Sequence, residues 1–198
     1  MACSAMHCLI AQRYCEKNNK DMDIYFNGAI LPDLAEDKDI SHFAGDKQPR
    51  SVKDMIDNKV DIAKSLQNLD LNKDLDSAIF LHLVTDLLYY NALYFEGAEQ
   101  EKPSYLLLQQ SKDKKLMNKK LIPMLQTEIP EYAKQLFATN TDIEEYVYWK
   151  EEETMPFVEI ISSMNLKEVS ESLRTDTKGF VEETLANIRN LENVLLKY

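Results

Sequence analysis

Glycine is scarce in this sequence, which has only 4 glycines in 198 residues. A protein of this length built mainly from β-strands needs more turn residues, because each strand ends in a tight connection. Long helices with few connections need fewer of them. Apolar residues make up 44% and charged residues 29%, a balance typical of a folded globular chain. The composition therefore predicts an all-α protein.

The sequence also lacks an excess of positive charge, since its formal net charge is −11 at pH 7. A protein that binds nucleic acid through the phosphates relies on Lys and Arg to displace counterions. A surface of this charge repels long polyanions and anionic membranes. A small phosphoester is not excluded, because a local cation such as a metal ion would attract it.

Cysteine is restricted to Cys3, Cys8 and Cys15, an odd number with none later in the chain. This pattern does not suit the disulfide framework of a secreted protein. The first residues also lack the basic region and the long apolar run of a signal peptide. We therefore expect a cytoplasmic protein.

One apolar stretch, residues 77–95, is almost long enough to cross a bilayer. It contains His82, Asp86 and Asn91, and a central aspartate is costly in lipid. We interpret this stretch as a helix buried inside the protein, without a transmembrane segment.

Apolar periodicity divides the chain into helices and one irregular stretch. Residues 25–45 show no clear period and contain Gly-Ala, Leu-Pro-Asp and Ala-Gly-Asp, so we expect a loop there. We expect one helical domain over residues 1–198. An alternative places a metal-site core in residues 1–97 and a helical extension in residues 98–198. The predicted helices cover residues 4–17, 51–69, 76–95, a segment that begins at Pro103, and 166–198.

The chain has only three histidines, and two aspartates accompany them in patterns that suit a metal site. His82 and Asp86 are four residues apart in the predicted buried helix, so both point from the same face. One helix can supply two ligands to one ion in this way. A buried aspartate also needs a hydrogen bond, an opposite charge or a metal. We expect five residues to form the site: His7, Asp33, His42, His82 and Asp86.

The same residues have simpler interpretations, which the sequence leaves open. A histidine on an apolar helix is often a hydrogen-bonded core residue, and a His/Asp pair four residues apart can bond to itself. The segment Leu31-Pro32-Asp33 is also typical of a turn. In that case the chain is a helical interaction module without a metal.

Four pieces of the sequence together resemble the zinc-dependent phospholipase C family, which includes related single-strand nucleases. The resemblance covers about residues 1–97 and rests on His7, the segment Gly28-Ala29-Ile30-Leu31-Pro32-Asp33, the triplet Ser41-His42-Phe43, and His82-Leu83-Val84-Thr85-Asp86. Family members are all-helical bundles with a buried cluster of zinc ions that cleaves phosphoesters. The resemblance therefore implies a phospholipase C/nuclease-like bundle here, with residues after 97 as a C-terminal helical extension.

The resemblance also implies a role for each candidate residue. Asp33, His42, His82 and Asp86 would hold the first metal, and Asp86 would bridge to a second metal that His7 also binds. In secreted members the mature N-terminal residue completes the second metal's shell, whereas this chain begins with an extra segment, Met-Ala-Cys-Ser. The third metal of the family needs two further histidines, and none follows His82. We therefore expect one or two ions.

These observations favour a metal-dependent hydrolase of phosphoesters. Bound metals would activate water, and Asp33 would act as both ligand and general base. Three imidazoles and two carboxylates suit zinc, and manganese, iron or nickel also fit. We expect a small phosphodiester, phosphomonoester or phospholipid-like substrate rather than long nucleic acid. The alternative is a noncatalytic helical protein that keeps a vestigial or structural metal.

Overall fold

The computed structural model describes residues 2–44, 61–95, 103–139, 142, 144–147 and 149–195. Every regular element in these ranges is helical, which confirms the all-α class. The α-helices are α1 (Ser4–Asn18), α2 (Met22–Leu34), α3 (Lys38–Ser41), α4 (Ile62–Asn68), α5 (Asp74–Phe95), α6 (Pro103–Leu121), α7 (Thr154–Ser162) and α8 (Leu166–Leu195); the 3₁₀ segments are Ile122–Met124, Glu131–Phe137 and Glu151–Glu153.

The predicted helices at 4–17, 76–95 and from Pro103 are confirmed by α1, α5 and α6. The prediction for residues 51–69 is tested only in part, because α4 covers its end and residues 51–60 lie outside the described ranges. The last predicted helix corresponds to α8, in which Asp176 leaves the helical conformation, with φ −153° and ψ 83°. The Asp176 carboxylate accepts a hydrogen bond from the Gly179 amide and so caps the following segment.

The prediction of a loop over residues 25–45 is wrong for most of its length, because α2 occupies Met22–Leu34 and α3 occupies Lys38–Ser41, while residue 45 lies outside the described ranges. Asp21 caps this helix by accepting hydrogen bonds from the Asp23 and Ile24 amides. Pro32 lies in the last turn, where it removes one helical hydrogen bond and where its own carbonyl has no amide partner within the helix. The Pro32 carbonyl instead accepts a hydrogen bond from the Ser41 hydroxyl at 2.7 Å. The end of α2 is therefore held by a hydrogen bond from the last residue of α3.

The two central helices, α2 and α5, pack closely against each other, and α1 packs on α2, α6 and α7. Side chains of α5 are buried almost all round from Ser77 to Tyr90, as expected for an internal helix. The buried core extends from α1 through α5 to Val181, Leu185 and Ile188 of α8. None of the helices within the described ranges combines the length and apolar character that a bilayer crossing requires.

Helices α2 and α5 approach each other closely at Gly28. A Cβ atom at this position would overlap the Ala78 Cβ and lie 3.1 Å from the Ala78 carbonyl carbon. Gly28→Ala is therefore expected to lower the free energy of unfolding by about 1–3 kcal/mol through overpacking. The gain in helix propensity of about 1 kcal/mol opposes this loss without cancelling it. Urea denaturation of the wild type and the variant measures the difference.

The matched control is the double variant Gly28→Ala with Ala78→Gly, which moves the methyl group from one helix to the other. We expect it to recover most of the lost stability. A single Gly28→Ala variant as stable as the wild type would show that the two helices do not approach this closely.

Candidate metal centre

The structure brings together all five residues that the sequence singled out. His7 comes from α1, Asp33 from the last turn of α2, and His82 and Asp86 from adjacent turns of α5. His42 immediately follows α3. All five are buried, and their donor atoms form two sets, each lying within 4.8 Å, that share one imidazole. The sets are His7, Asp33 and His82, and His42, His82 and Asp86.

Backbone carbonyls fix the tautomers of two of the imidazoles. His82 Nδ1 lies 2.7 Å from the Ala29 carbonyl oxygen, and His42 Nδ1 lies 2.8 Å from the Lys38 carbonyl oxygen. A carbonyl oxygen only accepts hydrogen bonds, so both Nδ1 atoms carry hydrogen. In the neutral rings both Nε2 atoms therefore present lone pairs.

These two Nε2 atoms face each other at 3.1 Å. Two lone pairs at this distance repel each other unless a positive particle lies between them, and the available particles are a proton or a metal ion. Backbone carbonyls commonly orient metal-binding imidazoles in this way. The geometry of His42 and His82 therefore suits cation binding.

The two carboxylates complete the arrangement. Asp86 Oδ2 lies 3.4 Å from His42 Nε2 and 3.5 Å from His82 Nε2. Asp33 Oδ1 lies 3.8 Å from His42 Nε2 and has no hydrogen-bond partner within the described part of the chain. A buried carboxylate oxygen without a hydrogen bond is costly. The donor set therefore fits a divalent ion better than it fits a self-contained network of hydrogen bonds.

His7 lies on the other side of Asp86. Its Nε2 is 3.2 Å from Asp86 Oδ1, and its ring stacks on the His82 ring with centroids 3.8 Å apart. Burial lowers the pKa of His7 to about 4, so its imidazole is neutral at pH 7. The Ala2 amide also donates to Asp86 Oδ1 at 2.6 Å. Asp86 Oδ1 therefore faces the imidazole of His7, and Asp86 Oδ2 faces the imidazoles of His42 and His82.

The sequence did not identify three contributors to the centre. Ala2 and Ala29 contribute through backbone atoms, so their roles do not depend on residue type and cannot be recognised in the sequence. Lys38 was also missed, and its ammonium lies 3.9 Å from Asp33 Oδ1. The only sequence signal for Lys38 was its position four residues before His42, which is one helical turn away.

The metal-free protein should be most stable near pH 6.5. The pKa of His7 is lowered to about 4, so below pH 6.5 the unfolded chain binds more protons and stability falls as the pH falls. Burial alone lowers the pKa of His82, but Asp86 and Asp33 raise it above 6.5. His82 thus contributes stability below pH 6.5 that is lost as the pH rises through its raised pKa.

Thermal unfolding in chelator between about pH 5 and pH 9 measures this profile. A bound metal competes with protons for the same nitrogens, so with added zinc we expect stability to increase above pH 6.5 instead. A melting temperature in chelator that rises steadily from acid to alkaline pH would contradict the raised pKa of His82.

Comparisons of this chain with protein-family models, with curated proteins and with solved structures found no match. The relation to the zinc-dependent phospholipase C family therefore stays a prediction, and the chemistry of the centre is argued from its own donor atoms.

Proposed function

We propose that this chain is a metal-dependent hydrolase of phosphoesters that holds one or two divalent transition-metal ions at the five-residue centre. The observation that supports it most is the pair of buried Nε2 atoms facing each other at 3.1 Å, with both Nδ1 atoms bonded to carbonyls. Zinc suits three imidazoles and two carboxylates best, and manganese, iron and nickel are also compatible.

The donor atoms suggest how two ions would be shared. His42, His82 and Asp86 Oδ2 would hold the first ion together with Asp33. Asp86 Oδ1 and His7 would contribute to the second ion. When bound, such ions would lower the pKa of a water and offset negative charge on phosphoryl oxygens.

In this proposal Asp33 accepts a proton from the attacking water. Asp33 as a residue is 6% exposed, and its Oδ1 atom has no hydrogen bond within the described ranges. This oxygen is therefore available as a base or a ligand. Lys38, whose side chain is 47% exposed, lies next to it and places this edge of the centre nearest to solvent. Substrate would approach from this edge.

The alternative is a noncatalytic helical protein with a structural or vestigial metal. Deep burial favours it, because His82 and Asp86 are 1% and 0% exposed. A structural site has a closed shell of protein ligands, whereas a catalytic site keeps one position open. The two functions therefore differ in whether a metal-loaded protein also turns over substrate.

The test begins with protein purified without chelator and supplied with zinc or manganese. We expect one or two ions per chain by elemental analysis, and metal-dependent hydrolysis of p-nitrophenyl phosphate or bis(p-nitrophenyl) phosphate. Duplex DNA should be cleaved more slowly, because the charge of −11 opposes its approach. Absence of bound metal would overturn the proposal, and metal binding without any hydrolysis would favour the structural alternative.

A further inference from the structure

The side chain of Ser41, the last residue of α3, contacts three groups. Its Oγ lies 2.7 Å from the Pro32 carbonyl oxygen, 3.2 Å from the Lys38 carbonyl oxygen and 3.0 Å from His42 Nδ1. A hydroxyl has one hydrogen, and the shortest of these distances assigns it to Pro32. The lone pairs of Oγ then remain for the hydrogen on His42 Nδ1, which the Lys38 carbonyl shares. A chain of two hydrogen bonds therefore runs from the His42 imidazole through Ser41 to Pro32.

This chain joins two candidate ligands. The Pro32 carbonyl belongs to the planar peptide unit that connects Pro32 to Asp33, so the hydrogen bond holds the backbone from which the carboxylate extends. Asp33 Oδ1 and His42 Nε2 lie 3.8 Å apart. Donors of one zinc ion lie about 2.0–2.2 Å from it, and hence roughly 3.4 Å from each other in a tetrahedral shell. The two donors are therefore close to the spacing that a shared ion requires.

Two carbonyls of α2 orient the two imidazoles in different ways. The Ala29 carbonyl accepts a hydrogen bond directly from His82, which lies on a helix packed closely against α2. The Pro32 carbonyl is connected to His42 only through the Ser41 hydroxyl, because His42 follows a separate short helix. Loss of this hydroxyl would leave α2 in contact with one imidazole and disconnected from the other.

The backbone around His42 is fixed by a Schellman motif at the end of α3. The Phe43 amide donates to the Ile40 carbonyl at 3.1 Å, and the Ala44 amide donates to the Asp39 carbonyl at 2.7 Å. Phe43 adopts the left-handed conformation of this motif, with φ 55°, although glycine is favoured there. Such strain, about 1–3 kcal/mol, persists only where the surrounding contacts determine the backbone. The contacts of α3 therefore hold His42 in one place.

We propose that Ser41 is a positioning residue of the metal centre, which sets the distance between Asp33 and His42 before an ion binds. This inference rests on the proposed function, because it takes both residues as ligands. Ser41 contacts neither ion nor substrate and acts through His42. Fixing the ligands in advance lowers the loss of side-chain freedom on metal binding. Hydrogen-bond partners of ligating histidines contribute about 10–100-fold to metal affinity.

The test measures the affinity for zinc by competition with a chromophoric chelator. We expect Ser41→Ala to bind zinc about 10–100-fold more weakly than the wild type, because the chain of hydrogen bonds to His42 is lost. Ser41→Thr and Ser41→Val have nearly the same shape, but only threonine keeps a hydroxyl. The threonine variant should stay within about threefold of the wild type, and the valine variant should resemble Ser41→Ala.

The visible absorption of the cobalt-loaded protein supplies a readout that a purely structural role would not change. The bands of bound cobalt(II) depend on the geometry and type of its ligands. We expect Ser41→Ala and Ser41→Val to alter these bands and Ser41→Thr to preserve them. The matched control is Ser170→Ala on α8, which supplies none of the five residues. The Ser170 hydroxyl donates to the Lys167 carbonyl at 2.8 Å, and its loss should leave affinity and spectrum unchanged.

The outcomes separate this inference from the function on which it rests. If the wild type binds zinc and all three Ser41 variants keep its affinity and cobalt spectrum, Ser41 is not a positioning residue and the hydrolase proposal stands. A lower melting temperature in chelator as the sole effect would mean that Ser41 only stabilises the junction of α2 and α3.

Equal losses in Ser41→Thr and Ser41→Val would also overturn the inference, because the hydroxyl would then not be the cause. If affinity and spectrum change as expected but no phosphoester is cleaved, the role of Ser41 stands and the hydrolase proposal is wrong. If the wild type binds no metal, both are overturned.

Discussion

Asp86→Asn is expected to abolish stoichiometric metal binding and to make the protein insensitive to chelator. The substitution keeps the volume of the side chain but removes the negative charge that faces His7 on one side and His42 and His82 on the other. A metal present at a thousandfold excess over its Kd stabilises the folded state by about 4 kcal/mol. For a chain of this size, chelator should lower the melting temperature of the wild type by roughly 10 °C.

The measurement is thermal unfolding of wild type and variant, each with and without chelator, together with elemental analysis. Asp113→Asn is the matched control, because Asp113 is also fully buried and accepts hydrogen bonds from the Val147 and Trp149 amides. That variant should lose stability but keep its response to chelator. If chelator leaves the melting temperature of the wild type unchanged and no metal is detected, Asp86 is a core residue. Its replacement then lowers the free energy of unfolding by only about 1–3 kcal/mol.

Asp33→Asn is expected to lower kcat for phosphoester hydrolysis by about 10²–10⁴-fold at saturating metal. This is the usual contribution of a positioned general base. His42, His82 and Asp86 remain to hold metal in the variant, so metal content at saturation should change far less than kcat. Because the amide does not titrate, the part of the fall in rate at acid pH that comes from protonation of Asp33 should be absent from the residual activity of the variant, whereas the part that comes from protonation of the histidine ligands should remain.

Asp39→Asn serves as the control for this experiment, since Asp39 is an exposed carboxylate in α3, a few residues from the centre. Its kcat should match that of the wild type. An Asp33→Asn enzyme with wild-type kcat would remove Asp33 from the mechanism and leave it at most a ligand.

The five-residue cluster could be predicted from the sequence because histidine is rare in this chain and two aspartates accompany the histidines in patterns that suit a metal site. Only three histidines occur, and the spacing of His82 and Asp86 fixes their shared face once the segment is helical. The structure places the donor atoms together, as expected. Whether they hold a metal, and which reaction they support, stays a prediction.

The helix α2 could not be predicted from periodicity. Most of this helix is buried, and its exposed side, formed by Asp23, Asn27 and Leu31, is narrow and includes an apolar residue, so the period of 3.6 residues is weak. Gly28 and Pro32 normally indicate a loop, but here Gly28 permits contact with Ala78 and Pro32 stands in the last turn. The available signal was Asp21, an N-cap residue directly before the apolar run.

Contacts between distant helices account for the rest of what was missed. Asn118 is 113 residues from Ala5, and nothing in its local sequence distinguishes it from the other polar residues of α6. Its role depends on how α6 packs against α1, where Asn118 accepts a hydrogen bond from the Ala5 amide. Such pairings depend on tertiary structure and leave no periodic pattern.

The contacts of Asp86 with α1 also affect how the protein opens. A first helix usually frays from its end inward, exchanging its amide hydrogens by small local fluctuations. Here Ala2 and His7 both contact a buried carboxylate of α5, and the Ala29 carbonyl of α2 holds His82. Moving α1 away would expose that charge and unstack two imidazole rings at once. α1, α2 and α5 should therefore open together as one cooperative unit.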